Sequence, residues 1–434
     1  MKTIKLAPGE RLVTNQLNRK GVLPQNIVDA AHDIVANVRA NGDAAVRDYC
    51  QRFDGVELQS FRLPQEQIDA ALEGLDPAFV AALEKAARQI REFHQREVEQ
   101  SWFTTRPDGT MLGVKVTPLA AAGIYVPGGR AQYPSTVLMN AIPAKVAGVK
   151  RVVMVTPPQK DGLISPYTLA AAKLGGVDEI YMVGGAQAVA AMAFGTATIP
   201  RVGKIFGPGN AYVTEAKRQV SSRPDGAAID MPAGPSEVLV IADEGADPAF
   251  VAADLLSQAE HGPDSQVVLV TPSRKLAEAV AGEVASQLAA LPRREIATKA
   301  LSASRLILVK DLEACVEVSN RYAPEHLIIQ TRNARDLVPL VQNAGSVFVG
   351  DWSPESGGDY ATGTNHVLPT YGYAATYSSL GLADFTKRMT VQEMTPQGFE
   401  KLGPAIALLA HAEELDAHMN AVLVRMDRIK QSKE

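Results

Sequence analysis

The sequence predicts an α/β fold built on doubly wound parallel sheets. From residue 111 onward, short apolar runs alternate with stretches of helical periodicity, and turn-forming residues separate them. This alternation is typical of successive βαβ units, and the number of predicted strands indicates two sheets. The predicted strands cover residues 123–126, 152–156, 180–183, 204–206, 237–242, 266–270, 305–309, 327–330 and 346–349. The predicted helices between them cover residues 135–147, 165–174, 186–194, 210–220, 248–261 and 273–291.

The remaining segments frame this α/β region. Residues 1–24 read as a polar arm with turn signals, residues 25–100 are helical in pattern, and residues 392–430 form a second helical region. Sheets of the predicted kind bind ligands at the carboxyl ends of their strands. We therefore expect functional residues in the turns that follow the strands.

Composition excludes several classes of protein. The 434 residues carry 43 Lys and Arg against 48 Asp and Glu, a net charge of −5, which offers no positive field for a nucleic acid. No apolar run reaches the ~18 residues needed to span a membrane, and the first ten residues lack the apolar core of a secretory signal. Cys50 and Cys315 cannot build a disulfide framework, so we expect a reducing cytoplasm. Both lie in helical patterns and are interpreted as structural residues.

Three glycine-rich turns follow predicted strands and lead into helices, one after Tyr125, one before Gln187 and one before Asn210. Backbone N–H groups and the helix dipole bind phosphate at such positions. None of the turns matches GxGxxG, because the nearest one has Tyr212 where the third glycine would stand. Ordinary strand–helix turns without a ligand are the alternative, but three glycine-rich turns in one region favour a nucleotide-binding site.

Four further patterns carry candidate metal or proton-transfer groups. Gln258 and His261 share the last turn of a well-capped helix, where the dipole favours a cation; a solvated helix end is the alternative. The pair Glu325-His326 stands directly before an apolar strand, and an adjacent acid and base suit proton transfer near neutral pH. Two exposed loop residues are the alternative. The other two patterns are the long polar loop 350–369, with Asp351, Asp359 and His366, and the acidic tail segment around His418. An ordinary Ω-loop and an exposed amphipathic face are their respective alternatives.

Together these residues resemble one family, the L-histidinol dehydrogenases. The stretch from Ile229 to Val238 and the stretch from Asp254 to His261 are similar to that family's signature, and the resemblance spans residues 25–425. The absence of HExxH, GxSxG and CxxC excludes zincins, α/β-hydrolases and thiol redox enzymes.

The resemblance implies that L-histidinol is oxidised to L-histidine through L-histidinaldehyde, with two NAD⁺ and one zinc ion per subunit. It implies a homodimer whose active site is shared across the interface, because the tail histidine reaches the partner's site. It also implies two incomplete Rossmann-like sheets, similar to those of the aldehyde dehydrogenases. Two rival interpretations are a zinc-dependent dehydrogenase for another amino alcohol or diol and a nonenzymatic metal- or ligand-binding protein.

Site residues follow from the resemblance position by position. The matching catalytic residues are Glu325 and His326. The matching zinc ligands are Gln258, His261, Asp359 and His418. The matching substrate contacts are Ser236, Gln258, His261, His326, Asp359, Glu413 and His418. The matching NAD contacts are Tyr125, Gln187 and Asn210.

The assignment of Glu413 conflicts with regular helical geometry. Glu413 and His418 are five positions apart, which separates their side chains by roughly 140° on an α-helix with about 3.6 residues per turn. Glu414 and His418 would share a face. Alignment favours Glu413. A helix break between Glu413 and His418, or their belonging to the sites of different subunits, would remove the conflict.

Domain boundaries follow from the same comparison. We expect an N-terminal arm (1–24), a first α/β domain (25–124 and 320–380), a second α/β domain with the NAD-binding turns (125–319) and a helical C-terminal domain used in dimerisation (381–434).

Overall fold

The structure is a computed structural model that describes residues 1–6, 23–128, 132–232 and 234–433. The chain forms two compact units. The first comprises Met1–Glu97 and Leu119–Phe385, and the second comprises Val98–Pro118 and Thr386–Glu434. No helix in the described ranges is long and apolar enough to cross a membrane.

Fourteen strands are numbered here in chain order within the described residues. They are β1 (Lys2–Lys5), β2 (Trp102–Thr105), β3 (Met111–Pro118), β4 (Ala121–Tyr125), β5 (Arg151–Val155), β6 (Glu179–Tyr181), β7 (Lys204–Phe206), β8 (Ala228–Ile229), β9 (Glu237–Ala242), β10 (Gln266–Thr271), β11 (Arg305–Leu308), β12 (His326–Gln330), β13 (Ser346–Val349) and β14 (Thr386–Glu393).

The α-helices are numbered in the same way. They are α1 (Gln25–Asn41), α2 (Asp43–Phe53), α3 (Gln65–Asp69), α4 (Pro77–Gln95), α5 (Pro134–Val146), α6 (Pro166–Gly175), α7 (Gly185–Phe194), α8 (Ala211–Ser221), α9 (Pro248–Ala259), α10 (Arg274–Ala290), α11 (Arg294–Ala303), α12 (Leu312–Tyr322), α13 (Ala334–Leu337), α14 (Glu355–Tyr360), α15 (Pro396–Ala412) and α16 (Asp416–Gln431).

Two parallel sheets form the centre of the first unit. The first sheet has the strand order β6-β5-β4-β7-β8, and the second has the order β1-β11-β10-β9-β12-β13. Every strand pair within them is parallel. The predicted α/β class with parallel sheets is confirmed, and each predicted strand is present.

Apolar side chains cover both faces of each sheet, as expected for doubly wound sheets. In β9, Val238 and Val240 pack towards α9 and α10, whereas Leu239 and Ile241 pack towards α12 on the opposite face. Every residue of β9 and β10 is buried. Near-continuous Val, Leu and Ile runs form central strands because both faces are removed from water.

Sheet membership differs from the domain prediction in two places. The strands of residues 125–319 are divided between both sheets, because β9 pairs with β12 and β10 rather than with the earlier strands. Residues Lys2–Lys5 of the predicted polar arm form an edge strand beside β11, and residues 7–22 of the arm lie outside the described residues. Periodicity along the chain indicates where strands lie but not which strands pair with each other.

The second unit contains a feature that the helical tail prediction lacks. Strand β14 pairs antiparallel with β3, which also pairs with β2, and the helices α15 and α16 pack against each other. The tail is therefore helical only after residue 395.

Candidate active site

The Glu325-His326 pair lies at the amino-terminal edge of the second sheet. His326 opens β12, and the neighbouring strand β9 begins with Glu237, directly after the half-buried Ser236. Helix α9 follows β9 and runs back along the sheet, so its last turn with Gln258 returns to the same edge. This differs from the expectation of carboxyl-terminal sites, and the reason is that a crossover helix ends where the next parallel strand begins.

The backbone of Glu237 contacts both members of the pair. Its N–H donates to Glu325 Oε2 over 2.7 Å, and its carbonyl oxygen lies 3.1 Å from His326 Nδ1. The Nδ1–H of His326 can therefore donate to this carbonyl, which leaves Nε2 as the ring nitrogen that faces other groups. Nε2 has no hydrogen-bond partner in the described chain.

The amide of Gln258 is completely buried beside the pair. Its Nε2 donates to the Glu237 carbonyl over 3.1 Å and lies 3.1 Å from His326 Nδ1 and 3.5 Å from Glu325 Oε2. Its Oε1, by contrast, is buried without a hydrogen-bond partner among the described residues. An unsatisfied buried amide oxygen is costly, and a bound cation is one group that would satisfy it.

A short helix inside the predicted loop 350–369 brings two further carboxylates to the site. In α14, Glu355 and Asp359 are four positions apart and share a face. Asp359 Oδ1 lies 3.7 Å from His326 Nε2, beyond hydrogen-bond distance. His366 Nδ1 lies 3.0 Å from the Asp359 carbonyl oxygen and fixes the end of this helix.

Burial raises the pKa values of three carboxyl groups near the pair. The pKa of Glu325 is raised to about 8 and that of Glu355 to about 8, because both are almost wholly removed from water. Burial also raises the pKa of Asp254 to about 7, and a hydrogen bond from Gln330 over 2.6 Å opposes that shift. Charge is therefore costly in this region unless an opposite charge accompanies it.

Burial by itself would lower the pKa of His326. The carboxylates of Glu355, Glu325 and Asp359 outweigh burial and raise this pKa to about 10. Burial likewise raises the pKa of Asp359, but the neighbouring His326 imidazole outweighs it and lowers the pKa overall. Desolvation by the surrounding protein lowers the pKa of His261, and the Asp359 carboxylate opposes this shift. As a whole residue, His261 is exposed.

The predicted metal ligands are only partly assembled. Gln258, His261 and Asp359 lie around the same edge of the sheet and supply an amide oxygen, an imidazole nitrogen and a carboxylate. In the described ranges, no group of three or more His, Cys, Asp or Glu side chains could hold a metal ion. The three donors nevertheless match the borderline-hard ligands that zinc accepts, and the unsatisfied Gln258 oxygen fits such a role.

His418 and Glu413 belong to the second unit, where both are exposed. Helix α15 ends at Ala412 and α16 begins at Asp416, and Glu414 between them has a φ of 59°. The helix break that would remove the conflict over Glu413 is therefore present. The angle of roughly 140° between the two side chains assumed one regular helix, so it does not apply to residues on opposite sides of this break.

The three residues of the glycine-rich turns lie at the carboxyl edge of the first sheet: Tyr125 is the last residue of β4, and Gln187 and Asn210 follow β6 and β7. The Tyr125 hydroxyl accepts the N–H of Gly185 over 3.0 Å, which joins two of the turns. Gln187 is buried in the first turn of α7, and its Oε1 has no partner in the described structure. Asn210 caps α8 by accepting the N–H groups of Tyr212 and Val213.

Asp351 is the candidate ligand that the structure does not bring to this site. It is exposed after β13 and lines a crevice of about 490 Å³ with Gly245, Arg332 and Arg335. This crevice lies at the carboxyl edge of the second sheet, whereas His326 lies at the amino edge. Loop length alone did not distinguish Asp351 from Asp359.

Sequence reasoning missed Glu237, Asp254 and Glu355. Glu237 acts here mainly through its backbone, for which a side-chain pattern contains no signal. Asp254 stands in the apolar helical run 251–256, and a lone acid in such a run is a recognisable sign of a buried carboxyl group. No sequence pattern distinguishes Glu355, and only the helix α14 places it on the same face as Asp359.

Comparison with known proteins adds the family. Residues 17–426 match the family model described as "Histidinol dehydrogenase". The chain is 56% identical over 408 residues to the histidinol dehydrogenase of Vibrio parahaemolyticus, covering 94% of each chain. It is 57% identical over 407 residues to that of Escherichia coli, covering 94% of this chain and 93% of the relative. A crystal structure of histidinol dehydrogenase from Elizabethkingia anophelis superimposes with a TM-score of 0.93 at 43% identity, covering 99% of both chains.

Proposed function

This chain belongs to the histidinol dehydrogenase family of oxidoreductases of histidine biosynthesis, and we propose that it oxidises L-histidinol to L-histidine through L-histidinaldehyde, with NAD⁺ and zinc. The observation that carries the proposal is the buried Glu325-His326 pair, which the Glu237 backbone holds beside the unsatisfied Gln258 oxygen. A buried acid–base pair next to an open donor set suits proton transfer on a bound alcohol.

Zinc would be held by Gln258, His261 and Asp359, with His418 as the fourth ligand. When bound, zinc would orient the substrate through its imidazole and amine, and its charge would oppose the carboxylates that raise the His326 pKa. The orphaned Oε1 of Gln258 supports this assignment, because no other described group satisfies it.

NAD⁺ would bind at the three glycine-rich turns, with Tyr125, Gln187 and Asn210 as contacts. When bound, one NAD⁺ per oxidation would supply the nicotinamide ring as hydride acceptor. The turns support this assignment because all three lie at the carboxyl edge of the first sheet, where β4 and β7 are neighbours and β6 is separated from β4 by β5 alone.

His326 would remove the hydroxyl proton of the substrate. Its Nδ1 lies beside the Glu237 carbonyl, so Nε2 is the atom that can receive a proton. The same atom would serve both oxidations, first on the alcohol and then on the hydrated aldehyde. Ser236, Glu413 and His418 complete the proposed substrate contacts.

Glu325 would activate the water that hydrates the aldehyde. Its carboxylate would take one proton from water while the oxygen adds to the carbonyl carbon. The proton that His326 took up in the first oxidation would pass to the carbonyl oxygen, which gives a gem-diol and returns His326 to its basic form. A thiol could provide a covalent alternative, but both cysteines are free and buried. Burial raises the pKa of Cys50 to about 12 and raises that of Cys315 further. Neither thiol is therefore available as a nucleophile.

The active form would be a homodimer in the cytoplasm. Helices α15 and α16 expose Leu408, Leu409, Leu423 and Val424, and an exposed apolar surface of this kind suits a second copy of the chain. In that dimer, His418 of the tail would complete the zinc site of the partner. The two free cysteines are compatible with a reducing compartment.

A spectrophotometric assay tests the proposal. Purified protein should form NADH from L-histidinol and NAD⁺, should lose this activity on chelation and should regain it with added zinc. The His326→Asn protein is the negative control, after its folding has been verified by circular dichroism. Absence of NADH formation from a folded, zinc-loaded protein would contradict the proposed function.

A further inference from the structure

A buried ion pair stands behind the third glycine-rich turn, outside all the residues assigned above. Lys217 Nζ lies 2.5 Å from Asp230 Oδ1, and the two side chains expose only 6% and 2% of their surfaces. Lys217 projects from the second turn of α8, and Asp230 directly follows β8. A lysine on the buried face of a helix is uncommon, because removal of the charge from water is costly.

Both members of this pair also contact the backbone of a single residue, Gly207. Asp230 Oδ2 accepts the Gly207 N–H over 2.8 Å, and Lys217 Nζ donates to the Gly207 carbonyl over 2.9 Å. The two sides of the glycine are thus held by opposite ends of one ion pair. Orientation of the peptide groups at the start of the turn is therefore determined by Lys217 and Asp230.

Gly207 has little freedom to compensate for loss of the pair. Its φ is 102°, which side-chain-bearing residues rarely adopt, and a Cβ there would lie 2.2 Å from the Tyr125 carbonyl oxygen. The Tyr125 hydroxyl in turn accepts the Gly185 N–H. A shift of Gly207 would therefore affect the other turns as well as the one that leads to Asn210.

We propose that Lys217 and Asp230 are positioning residues that hold the Gly207–Asn210 turn in the geometry that receives the phosphates of NAD. This proposal rests on the proposed use of NAD. Stability alone is a weak reason for such a pair, because well-packed neutral residues often replace a buried ion pair without loss of stability. Lys217 and Asp230 also form hydrogen bonds with the backbone of the proposed ligand-binding turn, and apolar residues could not form these bonds.

The substrate side of the active site is anchored independently. The chain runs from Asp230 to Glu237, and between them the Gly234 N–H donates to Thr370 Oγ1. Glu237 itself is held by its contacts with Glu325 and by the N–H of Tyr371. Loss of the ion pair should therefore weaken binding of NAD more than binding of L-histidinol.

The test uses the neutral double variant Lys217→Met/Asp230→Asn of the full chain, in which no buried charge is left unpaired. We expect its dissociation constant for NADH to rise about tenfold or more, the factor that corresponds to roughly 1.4 kcal/mol of binding free energy. The KM for NAD⁺ should rise in parallel, whereas the dissociation constant for L-histidinol and kcat at saturating NAD⁺ should stay near wild type.

The matched control removes another ion pair of the same helix, Glu215–Arg218, which contacts no glycine-rich turn. Glu215→Gln/Arg218→Met should leave both dissociation constants unchanged. If the double variant fails to fold, Lys217→Gln/Asp230→Asn is measured instead; it is also neutral, keeps a polar side chain at both positions and should show the same split between NADH and L-histidinol.

Three results would overturn the proposal. Unchanged NADH affinity in a folded variant would make the pair purely structural, and so would an equal loss of NADH and L-histidinol affinity. An equal loss of NADH affinity in the control would assign the effect to α8 in general. A wild-type protein that binds L-histidinol but no NADH would contradict the proposed function itself, whereas normal wild-type binding with an unaffected variant contradicts only the role of the pair.

Discussion

Glu325 Oε2 accepts the backbone N–H of Glu237 over 2.7 Å, which connects the residue before β12 to the first residue of the neighbouring strand β9. The carboxyl group is thereby oriented by a backbone atom of the sheet rather than by a mobile side chain. Burial raises its pKa to about 8, and this hydrogen bond opposes the shift by favouring the carboxylate. The pairing of β9 with β12 therefore positions the proposed base.

Glu325→Gln should separate the two oxidations. The amide oxygen can still accept the Glu237 N–H, but the group can no longer take a proton from water, and general-base loss typically costs ~10²–10⁴-fold. Only the second oxidation consumes water. Single-turnover NADH formation from L-histidinol should therefore be nearly retained, whereas that from L-histidinaldehyde should be slow.

His326→Asn is the comparison for that experiment, because His326 is assigned to both steps and its loss should slow both. If Glu325→Gln slows the alcohol step as much as the aldehyde step, Glu325 orients His326 or the substrate instead of activating water.

His261→Ala and His418→Ala should each lose bound zinc while the protein stays folded, because each removes one of four proposed ligands. Metal content by atomic spectroscopy and thermal unfolding are the measurements. His411→Ala is the control for His418, since His411 is an exposed histidine in the same unit. Full zinc content in either of the first two proteins would refute that ligand assignment.

Mixed dimers should recover activity if the site is shared between chains. A hybrid of one His418→Ala subunit and one His326→Ala subunit would contain one intact site, because each chain supplies what the other lacks. Activity should rise after subunit exchange, up to about one working site per hybrid. Confirmed exchange without recovery would show that each site is built within one chain.

Asp54→Asn should stabilise the protein at neutral pH more than at acidic pH. Burial raises the pKa of Asp54 from 3.8 to about 6, and its Oδ2 has no hydrogen-bond partner in the described structure. The folded protein thus binds the Asp54 proton more tightly than the unfolded chain, and stability falls as pH rises from about 4 to 6. Above this window asparagine avoids the cost of a partly buried carboxylate without a hydrogen-bond partner, so the substitution should raise the free energy of unfolding more at pH 7.5 than at pH 4.

Urea unfolding of the Asp54→Asn and wild-type proteins at pH 4 and pH 7.5 measures this difference. An equal difference in free energy of unfolding at both pH values would mean that the Asp54 pKa is not raised in the folded protein.

Cys50→Ala and Cys315→Ala should leave turnover largely intact, because both thiols are buried and are held in the uncharged form. The variants remove the sulfur without adding a polar group to the core. Steady-state NADH formation from L-histidinaldehyde is the relevant measurement. Loss of this half-reaction alone in either variant would revive a covalent thiol mechanism.

Local patterns determined much of this protein from sequence. Residues 204–206 and 237–242 were predicted as strands with the bounds that the structure has, because apolar runs between turn residues are local signals. The Asp247 cap and Pro248 likewise marked the start of α9, where the Asp247 side chain accepts the Ala249 N–H. The family signature also lies in contiguous stretches, so the family could be identified before any contact was known.

The contacts between segments that are distant in sequence were decided only by the tertiary structure. Strand periodicity predicted β9 and β12 but not that they pair, and this pairing places Glu237 against Glu325. Loop composition offered Asp351 and Asp359 equally, and α14 brings only Asp359 to His326. The Lys217–Asp230 pair joins a helix to the end of a strand through Gly207. The physical reason is the same in each case: hydrophobic period and capping act over a few neighbouring residues, whereas hydrogen bonds and ion pairs depend on which buried groups meet after the sheets have formed.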